Sequence, residues 1–285
     1  MDHSSRAARA QKIRWSGRTD RGRVRQNNED VFIGQQFDAH EVHHLGSTGE
    51  APTGPHDFVF AVSDGMGGAR AGEFASRITV EKITRLLPRS FAHSAQGLDT
   101  GFEDVLAELF DQVHKALAFV GDSYEETSGM QATLSMCWFT PRWMFFGHVG
   151  DSRIYYLPAA GGIKQISQDD TYVGWLYRTG QINERQARDH PRRCVLQKAL
   201  GAGNQFVDPQ VGAVAFETGD MFLLCTDGLV EGLYDEELLD LLRPKASAPA
   251  GNPARELVHI AVEKSGRDNT TAVVVEILEA PAGAS

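Results

Sequence analysis

The sequence predicts an α+β fold built on antiparallel sheet, with helices set apart from a meander of strands. Three observations predict it. Residues 58–62 are a continuous apolar run, Phe-Val-Phe-Ala-Val, that stops at Ser63-Asp64-Gly65-Met66-Gly67-Gly68. A run of that length reads as a buried strand, and the glycines after it as a turn too tight for side chains. Phe102, Leu106, Leu109, Val113, Leu117 and Val120 recur at steps of four, three, four, four and three, the stripe of an amphipathic helix. From Ala132 onward, short apolar runs alternate with turn residues, which reads as neighbouring strands joined by hairpins.

Length and composition bound the rest. The 285 residues suffice for one large domain, expected over 13–278 with loose tails at 1–12 and 279–285. A net charge of −10 lacks the basic footprint of a nucleic-acid binder. Cys137, Cys194 and Cys225 are widely spaced and form no C-x-x-C pair, so neither a disulfide framework nor a zinc knuckle is expected. Cys137 and Cys225 lie in apolar runs and read as buried thiols, which fits a reducing, cytoplasmic compartment. The N-terminus has no apolar signal core, and no stretch reaches the length of a membrane span. The expectation is a soluble monomer with neither a membrane nor a nucleic acid as partner.

The elements follow in order. A first strand is expected around Ile13–Ser16, and Arg25, Glu29 and Asp30 precede a second at Val31–Ile33. Residues 38–56, rich in His, Gly, Pro, Ser and Thr, read as a long loop. His40, His43 and His44 in it are expected to be exposed rather than metal ligands. Ala71–Leu87 reads as a helix ended by Pro88, and the 102–120 helix as ended by Gly121. Strands are expected at Thr133–Phe139, Trp143–Val149, Ile154–Leu157, Ile163–Ser167, Gln210–Phe216, Met221–Thr226 and Thr270–Leu278. Helices are expected at Asp235–Leu242 and from Pro253, capped by Asn252, to Lys264. Residues 168–200 break this rhythm with a long polar insertion, in which Asn183 is placed to cap a short helix. Arg178, Arg185, Arg188, Arg192 and Arg193 make the insertion basic, as an anion-attracting flap or as a solvated face.

Five aspartates share one local grammar. Asp64, Asp151 and Asp227 each end an apolar strand and adjoin a glycine, whereas Asp30 and Asp268 each precede a strand. One such acid is ordinary turn chemistry. Five can converge at one edge of packed sheets, where carboxylates must be neutralised by protons or cations. An all-oxygen set suits hard cations, magnesium or manganese, and two such ions can clamp a nucleophile and a phosphate ester. The Gly65 carbonyl can approach an ion with no side chain in the way.

The motifs Arg25-x-x-Asn28-Glu29-Asp30, Asp64-Gly65-Met66-Gly67-Gly68, Gly150-Asp151-Ser152-Arg153, Thr226-Asp227-Gly228-Leu229 and Asp268-Asn269-Thr270-Thr271 appear in one order. Together they resemble the metal-dependent protein phosphatases of the PP2C (PPM) family in their bacterial form, over residues 14–278. The resemblance implies an α-β-β-α sandwich: two packed antiparallel sheets flanked by helices, with a flap at about 168–200. It implies that Asp64 bridges two Mn2+ or Mg2+ ions and that the Gly65 carbonyl binds one. Asp227 and Asp268 would bind the other, and Asp151 with Asp227 would form a third site. Glu29 and Asp30 would hold metal-bound waters, and Arg25 the substrate phosphate. The implied activity is hydrolysis of phosphoserine and phosphothreonine in proteins, substrates of a Ser/Thr kinase, by a metal-activated water. The alternative is a catalytically weak pseudophosphatase that binds phosphoproteins.

Three positions depart from the family pattern. Met66 stands where some members carry a histidine able to protonate the leaving alkoxide, leaving that role to a metal-bound water. Gly129-Met130-Gln131-Ala132-Thr133 replaces a Gly-Thr-Thr-like turn, and Asp169-Asp170-Thr171 replaces Asp-His-Ser at the start of the flap.

Overall fold

In the computed structural model the chain is described over residues 11–38, 40–54, 56–67, 71–95, 101–201, 203, 206–244 and 251–280. Residues 1–10 of the expected N-terminal tail and 281–285 of the C-terminal one lie outside the described residues. The strands are β1 (Gln11–Asp20), β2 (Asp30–Phe37), β3 (Val42–His44), β4 (Thr48–Pro52), β5 (Asp57–Met66), β6 (Gln131–Ala132) and β7 (Leu134–Phe139). They continue as β8 (Trp143–Val149), β9 (Arg153–Leu157), β10 (Lys164–Gln165), β11 (Leu200–Gly201), β12 (Gln210–Ala215), β13 (Met221–Cys225) and β14 (Thr270–Glu279). The helices are α1 (Ala71–Ala95), α2 (Phe102–Ser123), α3 (Tyr172–Arg178), α4 (Glu184–Arg188), α5 (Asp227–Gly232), α6 (Asp235–Leu242) and α7 (Pro253–Lys264).

Two antiparallel sheets result. One has the order β10-β9-β13-β14-β1-β4, the other β11-β6-β5-β7-β8-β12, with β2 paired to β5 and β3 to β2. Three apolar layers hold the stack together. Phe58, Phe60, Val62, Phe139, Phe222 and Val275 fill the space between the sheets. On the outer side of the second sheet, Leu106, Leu109, Phe110 and Val113 of α2 pack on Val59, Ala61 and Trp138. On the outer side of the first, Leu229, Leu238, Leu257 and Val258 pack on Leu223, Cys225 and Val274. β5 and β14 are buried along almost their whole length because they face helices on one side and the opposite sheet on the other. The α-β-β-α sandwich is therefore present.

Four expectations are corrected. The 38–56 stretch is not all loop: β3 and β4 form on the outer edges of the two sheets. Their polar residues hid them, but edge strands face water and need main-chain pairing more than apolar side chains. α1 runs through Pro88 to Ala95, since proline removes one backbone bond and the turns on either side persist. Gly121 lies inside α2, which ends at Ser123. Residues 227–232 form a helix, α5, where only the end of a strand was expected.

Candidate metal centre

The sandwich brings strand ends from both sheets to one edge. β2 and β5 pair so that Asp30 lies opposite Asp64. Asp151 sits in the turn that carries the chain from β8 in the second sheet to β9 in the first. Asp227 opens α5 directly after β13, and Asp268 lies two residues before β14. Asp64 is within electrostatic reach of Asp30, Asp227, Asp151 and Asp268 together.

Each acid is held by its own neighbours. Thr133 bonds both sides of Asp64: its hydroxyl accepts from the Asp64 N–H at 2.9 Å, and its N–H donates to the Asp64 carbonyl at 2.8 Å. The same hydroxyl contacts Ser152 Oγ at 2.7 Å, which ties the Asp64 strand end to the residue beside Asp151. Asp30 Oδ2 accepts from the Thr226 and Thr271 hydroxyls, both at 2.7 Å, stitching β2 to the opposite sheet. Asn269 accepts from the Glu29 N–H and donates to the Arg21 and Asn27 carbonyls, fixing the acidic loop against the start of β14. His148 is buried under the Asp151 turn, with Nδ1 2.7 Å from Ser135 Oγ and Nε2 3.1 Å from the Gly150 carbonyl.

Glycine is required here at particular points. A Cβ on Gly65 would lie 1.9 Å from the Gly72 carbonyl oxygen, so β5 and the first turn of α1 touch backbone to backbone. Gly150 has φ +114°, and a Cβ there would meet Thr133 Cγ2 at 2.6 Å.

The electrostatics are those of a cation site. Asp64, Asp151 and Asp227 are half-buried, and Asp151 and Asp227 line a cleft. Burial first, then the facing carboxylates, pushes Asp64 and Asp227 well above the usual carboxylate range. Asp30 and Asp151 are each raised to about 7, again mainly by burial, and Glu29 is raised too. Asp30 Oδ1 and Asp227 Oδ1 are buried without a hydrogen-bond partner. Buried carboxylate oxygens that lack donors and repel one another fit hard divalent cations as the missing partners.

Arg188 and Arg193 of the flap are paired, as is Arg25 at the site. Arg25 lies at the mouth of the site, where Nη2 donates to Asp268 Oδ2 at 2.6 Å. In the flap, Arg188 donates to the Val230 and Leu233 carbonyls and lies over the Tyr234 ring at 3.7 Å. Arg193 pairs with Glu231 at 3.2 Å, and Arg192 stacks over Tyr172. These arginines fasten the flap to α5 and α6 and to itself. The start of the flap is anchored as well: Asp169 grips Arg153 through two nitrogens, and Asp170 Oδ2 accepts from the Gly150 N–H. Thr133, Arg153, Asp169, Asp170 and Asn269 thus position the acids. They lie within the sequence motifs, but a hydroxyl or amide that orients another residue follows no spacing rule of its own. A cavity of about 760 Å³ opens between flap and α5, with Asp151, Asp227, Arg193, Cys194 and Glu231 on its wall.

A family model described as protein phosphatase 2C matches residues 50–259. The serine/threonine protein phosphatase PstP of Mycobacterium tuberculosis is 32% identical over 94% of this chain, which spans 45% of that protein's length. The serine/threonine phosphatase stp of Listeria welshimeri is 32% identical over 91% of this chain and 94% of its own. Among solved structures, the catalytic domain of PstP in complex with two manganese ions superposes with a TM-score of 0.73 at 28% identity, covering 94% of this chain and 99% of that one.

Proposed function

The chain belongs to the protein phosphatase 2C family, and from that premise we propose that it hydrolyses phosphoserine and phosphothreonine in proteins at the five-aspartate edge. The observation that carries the reading is the convergence of Asp64, Asp151, Asp227 and Asp268, mutually repelling, with Asp227 Oδ1 buried and without a donor. Asp64, Asp227 and Asp268, with the Gly65 carbonyl, are the ligands proposed for two Mn2+ or Mg2+ ions, and Asp151 with Asp227 for a third. Bound there, such ions supply Lewis acidity toward the phosphoryl oxygens and lower the pKa of water.

The chain's own residues do the rest. Asp30 is pinned through Oδ2 by two threonine hydroxyls, and its buried Oδ1 is left without a protein donor. Glu29 and Asp30 are proposed to orient the attacking water by accepting its hydrogens. Arg25, half-exposed at the mouth, offers a planar, permanently charged fork for the phosphoryl group and is oriented by Asp268. The natural substrates are proposed to be targets of a Ser/Thr kinase. No helix among the described residues is long and apolar enough to cross a membrane. Retention of every acid gives no support to a pseudophosphatase.

The test is hydrolysis of a phosphothreonine peptide with Mn2+, comparing wild type with Asp64→Asn and Asp227→Asn. Both variants are expected to lose more than about 100-fold in kcat, beyond the 10- to 100-fold typical of residues that only support a metal ligand. A wild type as inactive as the variants would refute the reading.

A further inference from the structure

Cys137 and Cys225 are buried in the core, whereas Cys194 is exposed on the flap. Its neighbour Arg193 pairs with Glu231 of α5, which holds this part of the flap over the first turns of that helix. Asp227 and Glu231 stand four residues apart on α5 and so share one helix face. The donor atoms of Cys194, Asp227 and Glu231 all lie within 4.8 Å of one another, the one such trio of His, Cys, Asp or Glu among the described residues. Asp227 Oδ1 is buried with no hydrogen-bond partner. All three residues line the cavity between flap and α5, so an ion can reach them from solvent.

We propose that Cys194, Asp227 and Glu231 form a cation site of a different chemical class from the five-aspartate edge, taking a thiophilic divalent ion such as Zn2+. One sulfur and two carboxylates are a set that zinc accepts, with the fourth position left to water. A hard ion such as Mg2+ gains little from the sulfur. Ligands around a four-coordinate zinc stand roughly 3.5 Å apart, so modest side-chain rotation closes the trio around an ion. As the ion binds, the thiol proton leaves to solvent and sulfur binds as thiolate. Arg193 occupies Glu231 Oε1 and opposes the incoming positive charge. Binding therefore loosens that ion pair and replaces it with a metal link from flap to α5.

Asp227 is shared between this site and the acids around Asp64. A zinc-like ion held by Cys194 withdraws Asp227 from that edge and fixes the flap, so it inhibits. The inhibition rests on the phosphatase reading; the site itself does not.

Co2+ is the probe, titrated into the full chain. The expected signature is a near-ultraviolet thiolate-to-cobalt charge-transfer band that saturates and is bleached by Zn2+. Cys194→Ser should remove the band while leaving the circular dichroism spectrum unchanged, since the residue is exposed. Glu231→Gln should keep the band but weaken Co2+ binding at least about tenfold. Absence of the band in wild type, or its persistence in Cys194→Ser, overturns the proposal, because the other two thiols are buried. In a phosphopeptide assay, Zn2+ should inhibit Cys194→Ser at least about tenfold less potently than wild type. Equal inhibition of both overturns the regulatory part. If the chain hydrolyses no phosphopeptide, the phosphatase reading falls while the cobalt band still decides the site.

Discussion

Strand β5 carries an aspartate at each end, and the two have opposite fates. Asp57 opens the strand and is 7% exposed. Its Oδ2 accepts from the Trp138 indole N–H at 2.7 Å, and His56 lies within electrostatic reach. Burial lifts its carboxyl to about 6, with the indole pulling the other way. Asp64 stands near the other end of the strand, raised further by burial and then by four facing carboxylates. Residue type and strand are shared, and the neighbours separate a structural acid from a functional one. Donors around a carboxylate satisfy it, whereas other carboxylates leave it in need of cations.

The largest expected effect separates the two ends outright. Asp64→Asn should abolish peptide dephosphorylation yet raise stability in EDTA by about 1–2 kcal/mol, because it removes one buried charge from a repelling group. For a chain of this size that is a rise of several degrees in Tm, readable by calorimetry. A fall in Tm would mean that donors satisfy the Asp64 carboxylate and that its neighbours do not oppose it.

The backbone beside Asp64 comes next. Gly65→Ala drives a Cβ against the Gly72 carbonyl, a clash no rotamer can relieve, at an expected cost of about 3 kcal/mol in urea unfolding. Gly54→Ala is the control: nothing lies within 4 Å of its Cβ, so a change within about 0.5 kcal/mol is expected. Similar midpoints for the two variants would show that β5 and α1 can separate at little cost.

What was legible in the sequence follows the same division. Asp64, Asp151, Asp227, Asp30 and Asp268 could be read because each sits where an apolar run meets a turn, and a strand end is visible in one dimension. Asp57 has the same position, at the head of the run, and was passed over because its partner Trp138 lies 81 residues away. The sandwich came from the family resemblance, since strand order and layering depend on pairings such as β1 with β14 that no local pattern states. β3 and β4 escaped because edge strands tolerate polar residues. The flap was visible as an insertion. Its arginines looked like free charges, yet Arg188 and Arg193 are spent on α5 and its end, contacts invisible until the flap folds back.

At the structural end, Trp138→Phe keeps most of the packing and removes the indole donor. Asp57 is then buried beside a ring that offers it nothing, at an expected cost of about 2 kcal/mol at pH 8. At pH 4 the carboxyl is largely protonated and the cost should shrink. An effect equal at both pH values would assign it to packing alone.

The smallest effect is the most specific. The folded-state pKa of Asp57 is about 6, above the ordinary carboxylate range, so between about 4 and 6 the folded protein binds more protons than the unfolded chain. Stability therefore falls as pH rises through that window, and the penalty is complete above about pH 6. Asn carries no charge at any of these pH values, and its side-chain oxygen can still accept from Trp138. Asp57→Asn should thus be more stable than wild type by about 1–2 kcal/mol at pH 8, below the roughly 3 kcal/mol that the full pKa displacement allows. The gain should vanish near pH 4. Urea unfolding of both proteins at the two pH values measures it, and subtracting the wild-type curve cancels the titrating groups that do not interact with Asp57. A gain that persists at pH 4 would place its origin in packing, and a loss at pH 8 would mean that the charge on Asp57 is better satisfied than the indole alone can explain.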